Sequence, residues 1–215
     1  MARKAKAAST SAAPLYGEGR EALLRATVKV VARGGLRALT YRAVAEEAGV
    51  AHALVRFHFG SRDALIVAAT EYSLPEAIRV GGLESDSTDV GDYADQLHEV
   101  IVTESELTAF QFEVILESRR RPELRPVVRE IYDIFRKTAT SDLNQRGVQA
   151  DEALGALIFA TLDGLVFQAV SMNDPESIEI PLQRLRQLLA LAREHPEAFG
   201  NDRANKRSRR PSPKS

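Results

Sequence analysis

An all-α fold is predicted for this chain by three features of its 215 residues. Apolar residues recur at helical spacing nearly throughout. No sustained alternation of apolar and polar residues argues for strands. Glycine, proline and Asn-Asp-Pro breaks cut the pattern into segments of helix length.

Taken in order, the first segment runs from Gly17 to Arg33, where Leu23, Thr27, Val30 and Val31 share a stripe opposite the charges. Gly34-Gly35 ends it, because glycine adopts a left-handed backbone without a Cβ penalty. Thr40 is a natural cap for a short helix from Tyr41 to Ala48, its hydroxyl accepting from an orphan amide. Gly49 breaks that helix, and Ala51 to Phe59 reads as a third. Gly60-Ser61 breaks again, with Ser61 as cap and Asp63 in the first turn, where a carboxylate suits the helix dipole. A fourth helix starts at Arg62 and runs to about Tyr72, with Pro75 as a possible continuation. Gly81 to Thr88 is a loop. Further helices are expected over Val90 to Thr103, Glu106 to Arg119, Glu123 to Gln145, Asp151 to Met172 and Pro181 to Arg193. Breaks at Arg121-Pro122, Gly147 and Asn173-Asp174-Pro175 separate them.

The two ends, 1–14 and 201–215, are Ala/Ser/Lys-rich and Lys/Arg-rich respectively and read as disordered basic tails. The remaining chain divides into a small module at 15–62 and a larger helical body at 63–200. The formal net charge of -1 conceals this organisation. Residues 1–65 carry 11 Lys+Arg against 5 Asp+Glu, residues 66–200 carry 12 against 24, and residues 201–215 carry 6 against 1. A basic head on an acidic body suits contact with a polyanion, because phosphate contacts release condensed counterions. The absence of cysteine excludes disulfides and thiolate metal sites. No uninterrupted apolar run approaches the ~20 residues of a membrane span, and the N-terminus lacks the hydrophobic stretch of a secretory signal. A soluble, cytoplasmic protein is expected.

The segment from Thr40 to Phe59 carries the sharpest signal. Ala45 is small where two helices would cross, and Gly49, four residues on, permits a tight turn. Val44, Ala48, Val50 and Val55 are spaced to point inward and lock the pair. Such a helix-turn-helix projects the second helix into a major groove.

The wider stretch from Glu21 to Leu65 resembles the DNA-binding domain of the TetR/AcrR family of bacterial transcriptional regulators. The resemblance lies in the leading amphipathic helix, Gly35, Thr40, the run from Ala45 to Val50, Phe59 and the SRDAL sequence that begins at Ser61. It covers about the first third of the chain. The rest is similar to the family only in helix number, helix length and acidic, apolar character. The resemblance implies an N-terminal three-helix helix-turn-helix DNA-binding domain followed by a helical-bundle ligand-binding and dimerisation domain.

The same resemblance implies roles for particular residues. Thr40, Tyr41 and Arg42 would lie against phosphates at the start of the second helix. His52, Ala53, Leu54 and Arg56 would form the exposed face of the recognition helix, with Ala51 and Phe57 as further DNA-binding candidates. Arg56 is the candidate base reader, since its planar fork can engage a guanine edge twice, and Leu54 could touch a thymine methyl. His58 and Arg62 would be phosphate contacts, which position without specifying, and the basic Arg3 to Lys6 would reach a neighbouring minor groove. The chain departs from the family at Ala51, where members usually carry Ser or Thr, at Arg56, where tyrosine is common, and at Phe57, which lacks the usual hydroxyl.

A palindromic operator needs a symmetric reader, so a homodimer is expected. The small residues Ala156, Ala160 and Gly164, and the stripe Leu182, Leu185, Leu189 and Ala192, are the candidate interface of a four-helix bundle. Tyr93, His98, Phe110, Gln111, Ile115, Tyr132, Phe135, Leu162, Phe167 and Gln168 are the candidate lining of an apolar pocket for a small-molecule effector. No cofactor is expected. The four histidines (His52, His58, His98, His195) lack metal-ligand spacing, and no catalytic elbow or phosphate-binding loop is present. A repressor that leaves a palindromic operator when a small apolar or amphipathic effector binds accounts for all of these features. Two alternatives stay open: a constitutive or architectural DNA-binding protein with no effector, and a helical enzyme.

Overall fold

The computed structural model describes residues 16–80 and 87–199. The expected tails 1–14 and 201–215, with Arg3 to Lys6, and most of the 81–88 loop lie outside the described residues. Ten α-helices follow one another, with no strand among the described residues. They are α1 (Tyr16–Ala38), α2 (Tyr41–Ala48), α3 (His52–Phe59), α4 (Arg62–Val80), α5 (Leu97–Thr103), α6 (Ser105–Glu117), α7 (Arg125–Gln145), α8 (Glu152–Met172), α9 (Glu179–Glu194) and the short α10 (Pro196–Phe199). Three 3-10 turns, at Val90–Asp92, Pro122–Leu124 and Pro175–Ile178, connect them.

Several boundaries follow directly from local chemistry. The Thr40 hydroxyl accepts from the Ala43 amide at 3.0 Å, and the Asp151 carboxylate accepts from the Leu154 amide at 2.9 Å, each capping its helix. Gly35, at φ 67 and ψ 175, breaks α1 as expected, and a last helical turn resumes beyond it to Ala38. That conformation is essentially glycine's alone.

Other boundaries differ from expectation because packing overrides the local signal. Pro75 removes an N–H from α4 yet does not end it. Ala77 is buried, and Leu74 and Ile78 pack on the body's core, so the helix is carried on to Val80. The single helix expected over Val90 to Thr103 is a 3-10 turn, a bend and the shorter α5, because the chain reverses at Ala94 with φ 54.

Two apolar cores hold the fold together. The first joins α1 to α4 (Leu23, Val31, Val44, Val55, Leu65) and extends into α6 and α7 through Phe110, Val114 and Val128. The second lies among α5, α7, α8 and α9. Within it α8 crosses α7 at Gly155, where an added Cβ would sit 1.8 Å from Thr140 Oγ1 and 3.2 Å from the Thr140 Cα. The close approach is thus one residue before Ala156. Gly155→Ala should lower stability by about 1–3 kcal/mol, as overpacking of a fitted contact does. Urea unfolding would show it, and adding Thr140→Ala should restore part of the loss. An unchanged midpoint for Gly155→Ala would mean that the crossing is not tight.

The helix α8 is apolar along most of its length, with Asp163 interrupting the run. It is 21 residues long, with a mean hydropathy of 1.8 in its most apolar window, long and apolar enough to cross a membrane by length and composition alone. Only 28% of that window is buried within the chain. One face packs inward through Ile158, Phe159 and Leu162, while Leu157 is 62% exposed and Ala160, Gly164 and Phe167 lie along the same open side.

On α9 the expected interface stripe faces the other way. Leu182, Leu185, Leu189 and Ala192 are all buried in the chain's own core, because the turns at Val90–Asp92 and Pro175–Ile178 pack over them. The apolar residues left open on α9 are Ile180, Leu188 and Leu191.

Candidate nucleic-acid interface and ligand cavity

The geometry of the first three helices fixes what α3 presents. Val44 and Ala45 of α2 and Val55 and Phe59 of α3 are buried against Leu23, Leu24 and Val31 of α1. Gly49 makes the turn between α2 and α3 at φ 68 and ψ 30, a left-handed conformation that a larger side chain resists. With those faces committed, Ala51, His52, Ala53, Arg56 and Phe57 are exposed. Phe57 is 70% exposed, an unusual cost for an aromatic ring and a suitable partner for a thymine methyl. The Arg56 side chain makes no hydrogen bond or ion pair among the described residues. Its fork is therefore uncommitted among the described residues.

The flanking candidates are held more firmly. The Tyr41 hydroxyl donates to the Gly60 carbonyl at 3.0 Å, and its ring lies 6.2 Å from that of His52. Arg42 is exposed and donates to Glu46 at 2.8 Å, one turn away on the same helix. The Glu46 carboxylate raises the Arg42 pKa from its ordinary value, and a phosphate could replace so exposed a partner. Leu54 is half-buried, packed against the first core, so only part of it faces outward. His58 is also half-buried, with its ring 5.4 Å from Phe57 and 6.0 Å from Phe59. Exposed Thr40 is engaged as the α2 cap.

Arg62 departs from its expected role. Its guanidinium turns inward and donates to the Leu36 carbonyl, while Nε is buried without a partner. It clamps the start of α4 onto the end of α1 rather than facing solvent. Arg62→Ala should therefore show as lost stability instead of a flatter salt dependence of DNA binding. Arg56→Ala should cost about 1–3 kcal/mol of binding and relax preference at one base position per half-site. Binding assays on systematically varied sites would separate the two. Equal loss on all sequences for Arg56→Ala would remove it as a base reader.

A cavity of about 90 Å³ lies between α4, α5, α6, α7 and α8. Of the ten candidate lining residues, Gln111, Ile115, Tyr132, Phe135 and Leu162 do line it. Tyr93 and Phe110 are fully buried elsewhere, Tyr93 beneath Arg146 and Phe110 in the first core. Phe167 and Gln168 lie on the open side of α8, although the Phe167 ring meets Phe112 of the cavity edge-on at 5.0 Å. His98 points away from the cavity, 3.2 Å from Glu176. With Glu179 these two offer ligand atoms within 4.8 Å of one another, an arrangement common on exposed surfaces without any ion.

Phe112, grouped by the sequence with the aromatics of this region, lines it too, whereas sequence reasoning missed Phe159 and Asp163. Asp163 had a readable signal, since it is the only charged residue of α8 beyond Glu152. Its carboxyl is pushed above the ordinary aspartate range by burial. Burial likewise raises the Tyr132 hydroxyl, with the Asp163 charge adding to it.

One helix touches both regions. Thr108, Gln111, Phe112 and Ile115 of α6 face the cavity, whereas Phe110 and Val114 are buried with the first three helices. At its edge Glu106 accepts from Arg33 Nε at 2.8 Å and Glu113 accepts from the Leu36 amide at 3.3 Å. Glu117 accepts from Arg120 and Arg121, each at 3.1 Å, and hydrogen bonding from Arg120 leads in lowering its pKa. Arg121 also reaches Asp63 at the start of α4.

Comparisons with known proteins agree with this arrangement. A model of bacterial regulatory proteins of the tetR family matches residues 23–69, and a tetracyclin repressor-like C-terminal domain matches residues 88–193. A solved TetR-family protein from Streptomyces coelicolor A3 is 26% identical, with a TM-score of 0.65, covering 80% of this chain and 98% of that one. The multidrug binding protein EbrR, complexed with proflavin, is 25% identical with a TM-score of 0.56, covering 80% and 99%. A transcriptional regulator from Saccharomonospora viridis in complex with choline is 22% identical, with a TM-score of 0.63 over 83% and 97%, and shares the fold. No curated protein matches the chain.

Proposed function

The chain belongs to the TetR family of bacterial transcriptional regulators, and from that premise we infer that it is a cytoplasmic homodimeric repressor that leaves a palindromic operator when a small apolar or amphipathic effector enters its cavity. Residues 15–62 act as the reading head and residues 63–200 as the sensing and dimerising body. The observation that carries this reading is α6, which lines the cavity with one face and packs against the head with the other. An effector that wedges Phe112 and Ile115 outward displaces the same helix that holds Leu36 through Glu113 and, through Glu117 and Arg121, Asp63. Binding then favours a dimer whose two recognition helices are wrongly spaced.

The dimer itself is supported by what α8 and α9 leave uncovered. Leu157, Phe167 and Met172 of α8 and Ile180, Leu188 and Leu191 of α9 are exposed apolar residues of the kind that soluble chains bury against a partner. A second copy meeting them across a two-fold axis makes a four-helix bundle. The relative EbrR, a multidrug binding protein, supports a small molecule as effector.

Selection of bound DNA from a random pool tests the reading, and a palindromic consensus is expected. Recovery of no enriched sequence overturns it. The free volume, about 90 Å³, is below the ~300 Å³ of ordinary ligand sites and favours a second reading, a DNA-binding protein with no effector. The two are separated by whether any small molecule that binds the body alters operator affinity.

A further inference from the structure

Among the described residues the cavity wall carries a single charge. Asp163 projects from the middle of α8 among Thr108, Phe112, Tyr132, Phe159 and other uncharged residues. Its carboxylate makes no hydrogen bond or ion pair among the described residues. The guanidinium of Arg136 is engaged elsewhere, over the Tyr132 ring at 5.4 Å and near Asp133 at 3.9 Å. Burial raises the Asp163 carboxyl above its ordinary range, and no cation among the described residues draws it back down.

A carboxylate in such a place costs folding energy, because it is partly desolvated without gaining a partner. Residues of this kind cluster where function demands them. The surrounding rings point in the same direction. Phe135 and Phe159 stack at 5.4 Å, and Tyr132 meets Phe159 edge-on at 5.8 Å. The face of an aromatic ring is the negative end of its quadrupole and attracts positive charge. Aromatic rings beside one unpaired carboxylate form a setting for a cation with an apolar body, and the carboxylate disfavours an anion.

We propose that the effector is an organic cation, its ammonium group seated at the Asp163 carboxylate and its apolar part against Tyr132, Phe135 and Phe159. The proposal rests on the reading of this cavity as the effector site. The limited free volume selects a small cation, or one that displaces Phe112, whose edge-on contact with the exposed Phe167 ring links the cavity to the surface.

The test uses two probes of the same shape, phenyltrimethylammonium and tert-butylbenzene, which differ by one charge. Calorimetry and thermal shift on the full chain should show the cation binding about tenfold more tightly than the neutral probe or better. Asp163→Asn should abolish that preference while leaving the neutral probe's affinity within about twofold, and should raise the melting temperature of the ligand-free protein. Asp163→Ser serves the same purpose if the asparagine variant fails to fold. Binding of both probes without preference, or a cation preference that survives in the variants, overturns the charge proposal and leaves the cavity reading standing. Failure of both probes to bind wild type overturns the proposal together with the cavity reading.

Discussion

Arg146→Ala is expected to cost about 3–5 kcal/mol of folding stability, the loss that follows when one member of a buried ion pair is removed. The Arg146 side chain is fully buried and the Asp142 side chain is 3% exposed, with Nε donating to Oδ2 at 2.9 Å. A second guanidinium nitrogen donates to the Asp89 carbonyl, and the group lies 5.6 Å from the centre of the Tyr93 ring. One side chain thus ties the end of α7 to the turn before α5. Burial already raises the Asp142 carboxyl, against the opposing pull of Arg146, and pushes the Tyr93 hydroxyl up. Without Arg146 the carboxylate is buried and alone. The pair is not expected to be worth that much in itself, because both charges are desolvated and Asp142 Oδ1 and Arg146 Nη2 lack partners. A double variant, Asp142→Leu with Arg146→Met, should therefore recover most of the loss. Urea unfolding of both single variants and the double variant, at one protein concentration, measures the coupling. An Arg146→Ala midpoint equal to wild type would contradict the account.

The Asp89–Arg146 contact also explains part of what the sequence did not disclose. The expected helix from Val90 fails at Ala94, a residue with no intrinsic preference for positive φ. The bend is held by Arg146 on the Asp89 carbonyl and by Arg186 on the Tyr93 carbonyl at 2.9 Å. Both partners lie more than fifty residues away, beyond the reach of any local pattern. By contrast α2 has the expected ends, because Thr40 and Gly49 settle them within a few residues. The helix-turn-helix was legible for the same reason.

The candidate sites divide along this line as well. Periodicity found the apolar stripe of α9 but could not say whether its cover is the same chain or another, since both ask for the same residues. Aromatic content found the region of the cavity and half of the candidate lining, but could not sort the lining residues from core ones. Tyr93 and Phe110 are large apolar groups like Phe112 and Phe159, and only the tertiary arrangement assigns them to different cores. Asp163 was the exception that sequence could have offered, because one acid in an otherwise uncharged stretch demands a reason.

Phe110→Ala is expected to cost about 3–5 kcal/mol and to weaken operator binding far more than probe binding in the cavity. Phe110 is fully buried and packs with the first core, on the face of α6 turned away from the cavity. Deleting the ring leaves a void between α6 and the head, so the loss combines transfer energy with an unfilled cavity. Phe112, two residues on, is half-buried, lines the cavity and contacts Phe167 instead. Phe112→Ala should cost less stability, because its site is already partly open, and should enlarge the space available to a ligand. If α6 transmits between the two regions, the variants separate cleanly. Phe112→Ala alters probe affinity while operator binding without probe stays near wild type. Phe110→Ala keeps the probe but uncouples it, so the probe no longer changes operator affinity. Thermal unfolding, probe titration and operator binding measured on both variants decide the matter. Matching effects in all three would mean that α6 is a common structural support without a transmitting role.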